Sequence, residues 1–225
     1  MDLGLRGRIA LITGGSKGIG LAIAEHLAEE GCDLVLAARN GADLEKARER
    51  IAARHTVKIT LHAADLSSDA AMQALAAAHP DIDILVNNAG AIRDGGIEEV
   101  DDATWRGYWD LKVFGYISLT RAYYSLMKAR GRGVIINIIG IAGERMRAGY
   151  IAGSTGNASL IALTKALGAE APDFGVRVVG INPGPVMTEK LELTLRNSAR
   201  KRWGDEERWP ELTRSMPFGR TIRPV

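Results

Sequence analysis

Two patterns of apolar residues alternate along the chain. Short runs, apolar on both sides and rich in Val, Ile and Leu, occur at Arg8–Thr13, Asp33–Ala38, Lys58–Ala63, Ile82–Val86, Gly133–Ile139 and Val176–Ile181. A run of that kind predicts a strand covered on both faces. Between them lie stretches of helical pattern: about Ile19–Glu30, Asp43–His55, Ala70–Ala78, a long one over Thr104–Ala129, and Ala152–Glu170. Strand and helix in strict alternation predict an α/β fold, a parallel sheet with helices on both faces.

At 225 residues the chain suits one α/β domain over its whole length, and no low-complexity linker or repeat divides it. Residues 189–217 differ, holding Trp203 and Trp209 among many charges, and are expected to form a lid-like helical excursion. Their basic cluster of Arg196, Arg200, Lys201 and Arg202 reads as a solvated face. Lys+Arg total 29 against 27 Asp+Glu, a balance that argues against nucleic acid or an anionic membrane as partner. No apolar stretch approaches the roughly 18 residues of a membrane span. The single cysteine, Cys32, excludes an internal disulfide, and the four histidines do not fall at metal-ligand spacing, so no metal is expected. A soluble cytoplasmic enzyme domain is the expectation.

In an open parallel sheet, ligands bind beyond the carboxyl ends of the strands. Four segments of unusual composition fall there. Thr13-Gly14-Gly15-Ser16-Lys17-Gly18-Ile19-Gly20 follows the first strand and opens a helix, where glycines let the backbone approach a pyrophosphate and the helix N-terminus stabilises its charge. Asp65-Leu66 follows the third strand, Asn87-Asn88-Ala89-Gly90 the fourth, and Asn182-Pro183-Gly184-Pro185-Val186-Met187-Thr188 the sixth.

In this order the segments resemble the short-chain dehydrogenase/reductase family, over nearly the whole chain. The resemblance implies a Rossmann-type doubly wound sheet of order 3-2-1-4-5-6 that transfers hydride between a nicotinamide and a carbonyl or alcohol. It assigns Gly14, Ser16, Gly18, Ile19 and Gly20 to the pyrophosphate, and Asp65 and Leu66 to the adenine border. Asn87, Ala89 and Gly90 would line the adenine ribose and support the sheet. Pro183, Gly184, Val186 and Thr188 would hold the nicotinamide carboxamide. An NAD site sets a carboxylate at the end of the second strand. Here Ala38 stands there, with Arg39 next and Lys17 in the glycine turn, so NADP(H) is the expected cofactor.

The resemblance fails at the catalytic positions. The family's tyrosine and the lysine four residues later fall on Gly153 and Asn157, its serine on Gly140, and its helix asparagine on Lys112. Lys112 and Asn157 look like an exchange of residue types that keeps one ammonium and one amide in the pocket. Gly153 leaves room for Tyr150, three residues earlier, to fold over and serve as general acid beside Lys112. The reading is an NADP(H)-dependent oxidoreductase acting on a small carbonyl or alcohol. The alternative is a catalytically silent NADP(H)-binding protein, a cofactor sensor or assembly partner. The ending Met216–Val225 resembles the family segment that leads into one more helix and a seventh strand. Without that strand, Val176–Ile181 would be an open edge, and a dimer through the Thr104–Ala129 and Ala152–Glu170 helices is the expected assembly.

Overall fold

The computed structural model describes residues 3–224. They form six parallel strands, β1 (Ile9–Thr13), β2 (Asp33–Ala38), β3 (Ile59–Ala63), β4 (Ile84–Asn87), β5 (Gly133–Ile138) and β6 (Val176–Ile181), in the order β3-β2-β1-β4-β5-β6. The helices are α1 (Gly18–Glu29), α2 (Gly41–Ala52), α3 (Asp69–Ala78), α4 (Asp102–Trp109), α5 (Gly115–Arg130) and α6 (Ile151–Glu170), followed by α7 (Glu189–Trp203) and a short α8 (Trp209–Thr213).

Alternation along each strand sends neighbouring side chains to opposite faces. On β1, Leu11 joins Val35, Leu85 and Ile135 against Leu75, Tyr123 and Met127 of α3 and α5. Ala10 and Ile12 join Leu34, Leu36 and Val86 against Ala24, Leu44 and Ile51 of α1 and α2. Both sets are buried, and each large aliphatic side chain so placed contributes roughly 1.5–3 kcal/mol. A third cluster, Val113, Tyr116, Ile139 and Leu160, packs α6 beneath the carboxyl end of β5. β6 is the sheet edge, with Val179 and Ile181 exposed.

Two expectations change. The long helix over Thr104–Ala129 is not continuous: α4 and α5 are separated by a π turn at Asp110–Phe114, and Lys112 lies in it. One residue inserted into a helix keeps the 3.6-residue periodicity on each side and shifts only its phase, a change that the few apolar positions flanking the turn do not mark. The chain also divides into two compact units, the first ending at Asn182 and the second beginning at Pro183. The boundary therefore precedes Glu189, where the helical excursion was expected, and Pro183–Thr188 belongs to the second unit. That unit holds itself together locally. Val186 bridges to Ile222, and Arg196 pairs with both Glu192 and Glu207.

Candidate active site

The glycine turn between β1 and α1 is held by a clasp from β4. Thr13 Oγ1 donates to Val86 O at 3.3 Å and accepts from the amides of Asn88 at 2.9 Å and Ala89 at 3.0 Å. Asn88 Nδ2 donates back to Thr13 O at 2.9 Å. Gly14 takes a left-handed φ of 66°, open to glycine and costly for other residues. A Cβ on Gly20 would lie 2.2 Å from Gly14 O, so the turn closes on itself only because that methyl is absent. Gly18, also at positive φ, begins α1, Ser16 is half-buried, and Ile19 packs its side chain against the core.

Several expected cofactor residues turn out to be committed elsewhere. Asn87 is fully buried, and its Nδ2 donates to Thr120 Oγ1 at 3.1 Å and Asn137 Oδ1 at 2.9 Å, so its side chain braces the sheet. Leu66 is a core residue, which leaves only its backbone to border an adenine. Asp65 Oδ1 accepts from Ser67 N at 3.1 Å and Ser67 Oγ at 2.9 Å. These bonds, with Arg39 adding attraction, hold its carboxyl below the usual range. Lys17 forms an ion pair with Asp43 at 3.0 Å. An anion therefore does stand by the glycine turn, supplied by the first turn of α2 rather than by the end of β2. Arg39 is exposed at that end. Thr188 caps α7, its hydroxyl accepting from Leu191 N at 3.2 Å, and Pro183, Gly184 and Val186 are half-buried in the second unit.

Lys112 and Asn157 converge on the corner that follows β5. Lys112 Nζ donates to Ile139 O at 2.7 Å, lies 3.4 Å from Ile138 O, and sits 5.6 Å from the Tyr116 ring centroid. Its stem lies against Gly90, where a Cβ would be 2.8 Å from Lys112 Cδ. Asn157 Nδ2 reaches Gly140 O at 3.4 Å, while its buried Oδ1 has no protein partner. Gly140 has φ 125°, so the corner favours glycine.

Tyr150 is positioned by a different set of groups. Its ring occupies the space over Gly153, where a Cβ would lie 2.0 Å from Cε1 and Cζ. Burial pushes its phenol up from the ordinary 10.0; Asp94 adds to that, Arg147 opposes it and Tyr108 raises it slightly. Ser154, one position on, is buried and bonded to the Arg147 backbone. Among the described residues no group of three or more His, Cys, Asp or Glu is arranged to hold a metal ion, and no helix is long and apolar enough to cross a membrane.

Thr13, Asn88 and Asp43 were missed as site residues. The T-G-G and N-N-A-G segments were both visible, but the bonds joining them span 75 and 76 residues of sequence.

Known proteins resemble this chain over nearly its whole length. The family model described as short chain dehydrogenase matches residues 8–198. Galactitol 2-dehydrogenase (L-tagatose-forming) of Cereibacter sphaeroides is 36% identical over 98% of this chain and 84% of its own length. L-sorbose reductase of Gluconobacter frateurii, solved with NADPH and L-sorbose, superposes with a TM-score of 0.90 at 32% identity, over 100% of this chain and 88% of its own. An NAD+-bound xylitol dehydrogenase superposes with a TM-score of 0.88 at 25% identity, over 98% of this chain and 88% of its own. Sequence, sheet order and glycine turn agree: the chain belongs to the short-chain dehydrogenase family.

Proposed function

We propose that the chain is an NADP(H)-dependent oxidoreductase for a small carbonyl or alcohol, working with a rearranged set of catalytic side chains. A dinucleotide fits the residues present, because the tight Gly14–Gly20 cradle, which a Cβ would force open, sets the N-terminus of α1 beyond the end of β1. Gly14, Ser16, Gly18, Ile19 and Gly20 would hold its pyrophosphate at the start of α1. Ala89, Gly90 and the Asp65–Leu66 backbone would border the adenosine. Arg39, with Lys17 beside it, favours a 2′-phosphate, in line with the NADPH bound by the L-sorbose reductase. Lys17 is shared with Asp43, so Arg39 carries the larger part of that preference.

The cofactor supplies or accepts the hydride; the proton falls to the protein. Gly153 has none to give. The single observation carrying the proposal is the Tyr150 ring packed over Gly153, which makes its hydroxyl the general acid. Lys112 and Asn157 fix the corner after β5 through Ile139 O and Gly140 O, and the Lys112 ammonium supplies positive charge to the developing alkoxide. The ketose–polyol pairs of the relatives form the first substrate panel.

A second reading has its own support. A phenol raised by burial and by Asp94 is a weaker acid than the free side chain, as suits a silent NADP(H)-binding protein that senses its cofactor or completes an assembly. Titration with NADPH and NADH, followed by nicotinamide fluorescence, tests the cofactor, and turnover across the panel separates the two readings. Selective NADPH binding with turnover that falls in Tyr150→Phe is the expected result. Turnover unchanged by that substitution removes Tyr150 from the mechanism. The assembly proposed is a dimer through α4, α5 and α6, and sedimentation as a monomer at micromolar concentration contradicts it.

A further inference from the structure

The loop after β4 and the loop before α6 are buckled together beside Tyr150. Gly95 N donates to Gly149 O at 2.8 Å and Ile151 N to Gly95 O at 3.2 Å, bracketing Tyr150 in a short parallel bridge. Within its own loop Gly95 is packed tightly, since a Cβ there would lie 2.6 Å from Val100 Cγ2. Across the same junction Arg147 Nη2 meets Asp94 Oδ1 at 2.8 Å, and the guanidinium carbon stands 5.3 Å from the Tyr150 ring centroid. The Arg147 backbone is gripped from the other side: its amide donates to Ser154 Oγ at 3.0 Å, and that hydroxyl donates to Arg147 O at 3.3 Å.

Stability alone gives little reason for this ion pair. Its side chains are 63% and 53% exposed, and a pair so exposed contributes about 0–1 kcal/mol. Its placement is informative instead: two opposite charges, from segments 53 residues apart, meet beside the one tyrosine whose ring fills the space over Gly153. We propose that Asp94 and Arg147 are positioning residues for Tyr150, the pair fixing the ring over Gly153 and balancing the charge felt by its hydroxyl. This rests on the reading of Tyr150 as proton donor. Neither residue needs to touch substrate. The titratable groups facing the phenol are Asp94, Arg147 and Tyr108. Asp94 acts against ionisation and Arg147 for it, so the balance shifts in opposite directions when one or the other is removed.

The test is a pH titration of the tyrosine ζ-carbon resonances in the full chain labelled with 13C-tyrosine. There are five tyrosines; Tyr116 and Tyr123 are buried and pushed far up, and Tyr150→Phe identifies the resonance of interest. Asp94→Asn is expected to lower the Tyr150 phenol pKa and Arg147→Gln to raise it, with Asp94→Glu restoring the original value. Shifts of the same sign, or none, overturn the proposal, because a merely structural pair would loosen the same loops whichever partner was lost. The titration needs no turnover. If the phenol responds as expected while Tyr150→Phe leaves turnover intact, the donor reading fails and the charge pair stands.

Discussion

Replacing Gly153 by alanine adds one methyl where the Tyr150 ring already lies. The new carbon would sit 2.0 Å from Cε1 and Cζ and 2.6 Å from Cδ1, against the roughly 3.5–4.0 Å that carbon atoms prefer. The ring must withdraw by about 1.5 Å or swing out of its site. Two terms oppose each other. Alanine within α6 gains about 1 kcal/mol of helix propensity over glycine. Overpacking costs about 1–3 kcal/mol, with the larger figure if the half-buried ring is expelled. Gly153→Ala should therefore leave stability unchanged or lower it by up to about 2 kcal/mol, and it should reduce turnover by displacing the hydroxyl. Urea unfolding followed by far-ultraviolet circular dichroism reads the first quantity, and NADPH oxidation with the best substrate reads the second. A gain of the full propensity, about 1 kcal/mol, with turnover unaffected would refute the reasoning, since it would mean no ring occupies that space.

Gly20→Ala faces backbone rather than a side chain that can move, because its Cβ would meet Gly14 O at 2.2 Å. NADPH fluorescence titration is expected to show binding lost, and unchanged affinity would contradict the cradle. Arg39→Glu places a carboxylate beside the end of β2, and parallel titrations should then favour NADH over NADPH. His79, partly buried against His62, has its pKa held below the ordinary 6.5, by burial first and by His62 second. The unfolded chain takes up that proton more readily, so stability is lost as the pH falls through 6.5 towards the folded value and is unaffected above it. In urea unfolding, His79→Phe should remove that part of the acid slope; an identical slope in both proteins would count against it.

The strands were legible because their runs are rich in apolar residues and each is followed by a recognisable turn, while their order came only with the family resemblance. β2 and β6 fall on the residues their hydrophobic runs mark, Asp33–Ala38 and Val176–Ile181. What escaped depends on side chains arriving from distant segments. Thr13 looks like the last residue of a strand until Asn88 and Ala89 come to its hydroxyl. Leu66 sits in a segment of site-like composition, yet its side chain is buried in the core. Asp43 belongs by sequence to a surface helix and reaches Lys17 only because β1 and β2 lie side by side. The gap between Gly153 and Tyr150 was visible as a missing side chain, while the Asp94–Arg147 pair left no local signature at all.

The π turn at Asp110–Phe114 also sets the phase between two helices that would otherwise be one. Each residue of an α-helix turns the chain by about 100°, so one additional residue rotates everything before it by that amount relative to everything after it. α4 uses its phase to aim Trp109 Nε1 at Ala152 O, 3.0 Å away, and α5 uses its own to aim Tyr116 Oη at Ile138 O, 2.9 Å away. Deleting one residue from the turn would leave a helix of ordinary hydrogen bonding that can satisfy only one of the two. The cost of that deletion would appear as a choice between α6 and the end of β5, where Ile138 O and Ile139 O also receive the Lys112 ammonium.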